Sequence, residues 1–224
     1  MLDIRANLER VQEAVDRACQ RAGRSPTDVL LIAVSKTVEI ERIRLAMAAG
    51  VRALGENRVQ EAKDKVEALG RQVPWHLIGS LQTNKAKVAV SLFDWIQSVD
   101  RLELAREIDR RAHAVGRTIS ALLQVNLGDE PQKGGVAPDE AKRFLDDIAG
   151  LTHLRVQGLM AIPPAVDDPQ AARPYFRRLR ELRDELGLAH LSMGMSADFE
   201  VAIEEGATMV RVGTSIFGPR PARA

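Results

Sequence analysis

The chain has 224 residues, 32 Lys and Arg against 31 Asp and Glu, and a net charge of +1, which argues against a nucleic-acid or membrane surface as its main business. That length suits one large domain or two small ones and needs no covalent staples, and the lone Cys19 cannot form an internal disulfide, which fits a reducing cytosol. No apolar run approaches the ~20 residues of a membrane span, and Asp3, Arg5, Glu9 and Arg10 stand where a signal peptide needs an apolar core, so a soluble, cytoplasmic protein is expected.

Residues 2–22 place Leu8, Val11, Val15, Ala18 and Ala22 on one helical face, and Gly23 and Pro26 stop that helix. Val29 to Val34 is a continuous apolar run, too short for a helix between breakers, and reads as a strand buried on both faces of a parallel sheet. The cadence then repeats. A helix over 39–49 leads to a strand over 51–55, and a helix over 58–69 to a strand over 75–79. A short helix over 82–90 precedes a strand over 95–99. Asp100 and Glu103 resemble a helix-opening cap pair for a helix running to Val115. Ile119 to Val125 is a strand, 128–135 a Gly-rich loop, 138–149 a helix, and Val156 to Met160 a strand ended by Pro163-Pro164. A charged helix over 170–186, a strand over 190–192, a helix over 197–205 opened by Ser196, and a strand over 208–212 complete the chain. Eight strand-like segments, each followed by a helix or turn, predict a single (β/α)8 TIM barrel over 29–218, preceded by an N-terminal helix within 1–24, as one domain over 1–224. An open doubly wound sheet shares the alternation and is the alternative.

Reactive groups of such barrels gather at the carboxyl ends of the strands. Lys36 lies just past the first strand, in the direction shared by Val34, Ile32 and Leu30. A partly desolvated amine there is pushed toward its neutral form, which condensation with a carbonyl requires. A lysine reaching solvent, or pairing with Glu39 or Glu56, is the plainer reading of position alone. Arg211 alternates with Met209 and Gly213, and faces either a ring nitrogen or phosphate, or an ion-pair partner such as Glu56. Ser196 has the chemistry of a helix N-cap. With Gly213-Thr214 it stands after strands seven and eight, where barrels often seat a phosphate. Asn57 and Asn126 lie near strand ends, His76 is as readily structural as functional, and Lys85, Lys87 and Lys133 read as solvated charges. The histidines show no metal-ligand spacing, and neither a Walker loop nor G-x-S-x-G occurs, so no metal is expected.

The stretches Leu31-Ile32-Ala33-Val34-Ser35-Lys36, Gly55-Glu56-Asn57, His76-Leu77-Ile78-Gly79, Gln124-Val125-Asn126, Gly158-Leu159-Met160, Leu191-Ser192-Met193-Gly194-Met195-Ser196 and Val210-Arg211-Val212-Gly213-Thr214 run in order across nearly the whole chain. Through them the sequence closely resembles the pyridoxal phosphate homeostasis proteins (the YggS/PROSC-type family). The resemblance implies a fold type III barrel like the cofactor domain of alanine racemase, without the C-terminal β-domain. It implies pyridoxal 5′-phosphate as cofactor, held as a Schiff base on Lys36. Ser196, Gly213 and Thr214 would take the phosphate, Arg211 would face the pyridine nitrogen, and Asn57 and Met195 would line the pocket. The loop Gln132-Lys133-Gly134-Gly135 departs from the Lys-Ser-Gly pattern more usual in the family, so no role is carried to Lys133.

The function so implied is to carry or buffer pyridoxal phosphate and help maintain intracellular vitamin B6 and amino-acid homeostasis, with apo-enzymes as acceptors and a monomer or weak dimer as the working form. A small pyridoxal-phosphate enzyme, such as a slow amino-acid racemase, is the alternative. It is disfavoured because the sole tyrosine, Tyr175, falls in the helix after strand six, away from the expected mouth, and no second acid–base group is evident. A barrel that forms a Schiff base with a sugar phosphate is a third reading.

Overall fold

The computed structural model describes residues 3–128 and 134–219. The apolar runs become strands β1 (Leu30–Val34), β2 (Leu54–Glu56), β3 (Trp75–Leu77), β4 (Trp95–Val99), β5 (Ile119–Gln124), β6 (Leu154–Met160), β7 (His190–Met195) and β8 (Met209–Val212). They pair in parallel in chain order and close through β1 and β8, with Leu30 opposite Met209 and Ile32 opposite Arg211. Closure removes the open doubly wound alternative: the fold is a (β/α)8 TIM barrel.

Around it lie α1 (Ile4–Arg21), α2 (Ile40–Ala48), α3 (Val59–Leu69), α4 (Ala86–Leu92), α5 (Leu102–Ala114), α6 (Ala141–Ile148), α7 (Arg173–Glu185), α8 (Phe199–Glu204) and α9 (Thr214–Phe217). Asp3 caps α1 by accepting the Ala6 N–H (3.1 Å), and Leu8, Val11, Val15 and Ala18 are buried on its inner face. The helix after β8 is only four residues long, and α1 packs beside α2, α8 and α9 where a longer one would stand. The Asn7 side-chain amide donates to the Ile216 carbonyl (2.9 Å), while Arg21 pairs with Glu200 (2.9 Å) and Glu204 (2.7 Å). No helix among the described residues is long and apolar enough to cross a membrane.

Two-residue alternation splits each strand between two environments. Ala33, Leu191, Met193, Val210 and Val212 join the large core between sheet and helices. Ile32, Ala53, Leu122, Met160 and Met209 form a separate cluster inside the barrel. Close approach requires glycine at two places. A Cβ on Gly158 would lie 2.1 Å from the His190 carbonyl oxygen, where β6 meets β7, and one on Gly194 (φ +87°) would lie 2.5 Å from Ala202 Cβ of α8.

Several local expectations shift. The ladder of β2 begins at Leu54 rather than 51, because only there do β1 and β3 both reach it; Val51 and Ala53 are nonetheless buried. β6 starts at Leu154 and β7 runs on to Met195. Asp100 does not cap α5: Arg101 occupies the N-cap position with no side-chain cap bond, and Asp100 pairs with Arg101 instead (2.6 Å). The turn expected after β8 continues as α9.

Candidate functional site

Four neighbouring strands, β7, β8, β1 and β2, bring the chemistry-bearing residues to the carboxyl face of the barrel. After β1, residues 35–38 fold into a turn closed by the Val38 N–H donating to the Ser35 carbonyl (3.0 Å), with Lys36 and Thr37 at its centre. β2 leads directly into Asn57. Lys36 and Asn57 line a single cleft of about 290 Å³ with Met195 and Ser196 from the end of β7, and with Arg211, Gly213 and Thr214 from β8 and its turn. The apolar wall includes Ile78 and Ile162, and the rim is open, with Met195 39% and Ile162 37% exposed.

Arg211 is buried (4% exposed) beside Ile32 on the inward side of β8. The sequence left a pairing with Glu56 open; the structure does not make it. Arg211 donates to Ser192 Oγ (2.7 Å) and to the Ala161 carbonyl (3.0 Å). Glu56 is taken by Lys65 (2.7 Å) and by the Ser35 hydroxyl (2.7 Å). Burial pulls the guanidinium down to about 10, against the pull of Asp198, so it stays a cation and a donor at neutral pH. Behind it a buried polar line crosses the barrel. The Ser192 hydroxyl donates to Gln97 Oε1 (2.6 Å), and Gln97 Nε2 lies 2.9 Å from His76 Nδ1. His76 stacks on Trp95 with ring centroids 5.6 Å apart, and burial pushes it down to about 3. It is a neutral interior histidine that does not line the cleft.

Ser196 does not cap α8 as expected. Asp198 holds that position and accepts the Met195 N–H (2.7 Å), which frees the Ser196 hydroxyl for another bond. Ser196 Oγ accepts the Gly213 N–H (3.3 Å), tying the end of β7 to the turn after β8. Gly213 is the N-cap of α9, so the Thr214 and Ser215 N–H groups have no carbonyl within their own helix. A Cβ on Gly213 would stand 3.3 Å from the Val34 carbonyl oxygen, so the turn after β8 packs closely on the end of β1. Asn57 Oδ1 is buried without a hydrogen-bond partner among the described residues. Together these features give the cleft helix-start amides and hydroxyls at one end, an apolar wall, a buried cation and a lysine, a set of groups able to receive an anion.

Other candidates lie elsewhere. Asn126 Oδ1 accepts the Gly128 N–H (3.3 Å), and Met160 belongs to the barrel interior. Lys85 and Lys87 are exposed, Lys87 in an outer groove beside Lys63 and Arg111. Tyr175 sits on α7, and Lys133 lies outside the described residues. Among the described residues no group of three His, Cys, Asp or Glu could hold a metal ion. Ser192, Gln97 and Lys65, each tied to the site by hydrogen bonds, were not singled out from the sequence.

The model of the family described as "Alanine racemase, N-terminal domain" matches residues 5–221. A protein of Aquifex aeolicus (strain VF5), named pyridoxal phosphate homeostasis protein, is 50% identical over 220 residues, 95% of this chain and 96% of that protein. The structure of PipY from Synechococcus elongatus PCC7942, solved with pyridoxal phosphate bound, superposes with a TM-score of 0.82 at 41% identity, over 92% of this chain and 100% of that one. An alanine racemase of Clostridium difficile 630 shares the fold at a TM-score of 0.76 and 17% identity; this chain is covered over 98% of its length and the racemase over 57% of its own. Its barrel, its near-complete family match and its half-identical full-length relative assign this chain to the alanine racemase N-terminal domain family, and within it to the pyridoxal phosphate homeostasis proteins.

Proposed function

We propose that this chain binds pyridoxal 5′-phosphate in the cleft at the barrel mouth and carries or buffers it, helping to maintain intracellular vitamin B6 and amino-acid homeostasis. One observation carries the reading: Lys36, Asn57, Met195, Ser196, Arg211, Gly213 and Thr214, the residues expected to serve a phosphorylated aldehyde, line one cleft. The name of the Aquifex aeolicus relative and the ligand of PipY support it. When bound, the cofactor supplies an aldehyde that a primary amine takes up covalently, and Lys36 is the amine in the cleft.

Ser196 and Thr214 would hold the phosphate through their hydroxyls, beside Gly213, where the backbone amides at the start of α9 place partial positive charge. The buried, unpartnered Asn57 Oδ1 would accept from a donor on the ring, and Met195 and Ile78 would line its faces. Arg211, which keeps its own proton, would face the ring nitrogen. A permanent donor there would favour an unprotonated nitrogen, which withdraws electrons less strongly through the ring. The described residues lining the cleft include no carboxylate, histidine or tyrosine. Two-base racemisation needs a second acid–base group, so the lining supports carriage over racemisation. The open rim suits handover to acceptor apo-enzymes in the cytoplasm, by a single barrel domain acting as a monomer or weak dimer.

Titration with pyridoxal phosphate, followed by the visible band of the bound cofactor, tests this. The wild-type chain should develop a band distinct from that of the free compound. Lys36→Ala should lose that band yet retain weaker binding by equilibrium dialysis, through the phosphate contacts. A Lys36→Ala protein with the wild-type band would contradict the assignment.

A further inference from the structure

The turn that presents Lys36 carries an unusual backbone. Thr37 has φ +62°, the sole non-glycine residue with positive φ among the described residues, a conformation that strains a β-branched residue. Two side chains one helical turn apart on α3 bear on this turn. Lys65, only 6% exposed, donates to the Ser35 carbonyl (2.6 Å), to Glu56 Oε1 (2.7 Å) and to Glu61 Oε1 (2.6 Å). An ammonium has three N–H donors, and these three acceptors use them all. Glu61 Oε1 also accepts the Thr37 N–H. Ser35 is fixed further by its N–H to the Gly55 carbonyl (2.9 Å) and by its hydroxyl to Glu56. The peptide groups on both sides of Lys36 are therefore gripped from α3.

We propose that Lys65, with Glu61, is a positioning residue for Lys36: it clamps the strained turn so that the Lys36 side chain is presented to the cleft. This rests on the reading of Lys36 as the covalent attachment point. The plainer role for a buried lysine is to neutralise Glu56, whose carboxyl burial pushes up and Lys65 pulls back down. The two roles separate experimentally, because the double change Lys65→Met with Glu56→Gln removes the charge problem and leaves the Ser35 carbonyl without its ammonium donor.

The full chain is loaded with pyridoxal phosphate, and three quantities are read: apparent affinity, circular dichroism of the cofactor's visible band, and thermal midpoint. Lys65→Met should lower the midpoint, weaken apparent affinity about tenfold, equivalent to about 1.4 kcal/mol, and change the visible dichroism, which reports how the bound ring is oriented. The double variant should recover much of the midpoint while affinity and dichroism stay altered. Wild-type affinity and dichroism in the double variant would overturn the proposal and leave Lys65 a charge-neutralising residue. If Lys65→Met fails to fold, Glu61→Ala, at a partly exposed position, carries the test by removing the acceptor of the Thr37 N–H. It should weaken affinity about threefold, about 0.65 kcal/mol, with the same change in dichroism; an unchanged signature would refute the clamp. A wild-type chain with no borohydride-fixed adduct on Lys36 would instead refute the reading beneath it.

Discussion

His76 and Ser196 illustrate how single polar groups are used in opposite ways. His76 lies inside the barrel with no exposed surface, and folding keeps it neutral. Between about pH 3 and its ordinary value of 6.5 the unfolded chain binds a proton that the native chain refuses. Its contribution to stability is therefore complete above pH 6.5 and is lost as the pH falls toward 3, with a slope of at most about 1.4 kcal/mol per pH unit. Urea unfolding at pH 6.5 and at pH 4.5 should show a smaller acid loss in His76→Phe than in the wild-type chain; equal losses would remove His76 from the acid response. Ser196 acts outward, in the cleft. Ser196→Ala should weaken pyridoxal phosphate binding by about two- to tenfold, the net worth of one hydrogen bond, and leave the weaker binding of unphosphorylated pyridoxal unchanged. A loss equal for both ligands would place the phosphate elsewhere.

The strands and helices follow from short apolar runs and three-four spacings, and most were legible without coordinates. Arg211 was legible too: alternation with Met209 turns it inward, where the barrel interior holds both. Its partners were not. Arg211 bonds to Ser192, 19 residues away, and to the Ala161 carbonyl, 50 residues away, and no local pattern reports contacts that only barrel closure creates. Lys65 escaped for a related reason. In sequence it is one of several charges on a helix, and its burial depends on β1 and β2 lying beneath it. Ser196 was read as a cap because serine before a helix usually is one, but Asp198 stands two residues closer to α8. Strand packing also fixes which glycines matter. Gly158→Ala forces a Cβ against the His190 carbonyl and should cost about 3 kcal/mol, a fall of about 6–12 °C in thermal midpoint for a chain of this size. Gly150→Ala, with nothing within 4 Å of the added carbon, should stay within roughly 0.5 kcal/mol of the wild-type chain. Equal behaviour of the two would contradict the register between β6 and β7.

Across the whole molecule, the barrel holds two kinds of interior side by side. The apolar cluster of Ile32, Ala53, Leu122, Met160 and Met209 lies beside a buried polar line of His76, Gln97, Ser192 and Arg211, and the mouth holds the cleft that Lys36 lines. α1 supports that mouth from outside, since Asn7 bonds to α9, whose first turn begins at Thr214. The racemase that shares this barrel extends well beyond it, whereas the pyridoxal phosphate homeostasis proteins match this chain nearly end to end. The proposed function joins these features through a covalent hold on pyridoxal phosphate at Lys36. Borohydride reduction of the loaded chain, followed by peptide mass mapping, measures it most directly. A phosphopyridoxyl increment confined to the peptide bearing Lys36 is the predicted result, and an increment on another lysine, or on none, would contradict the account.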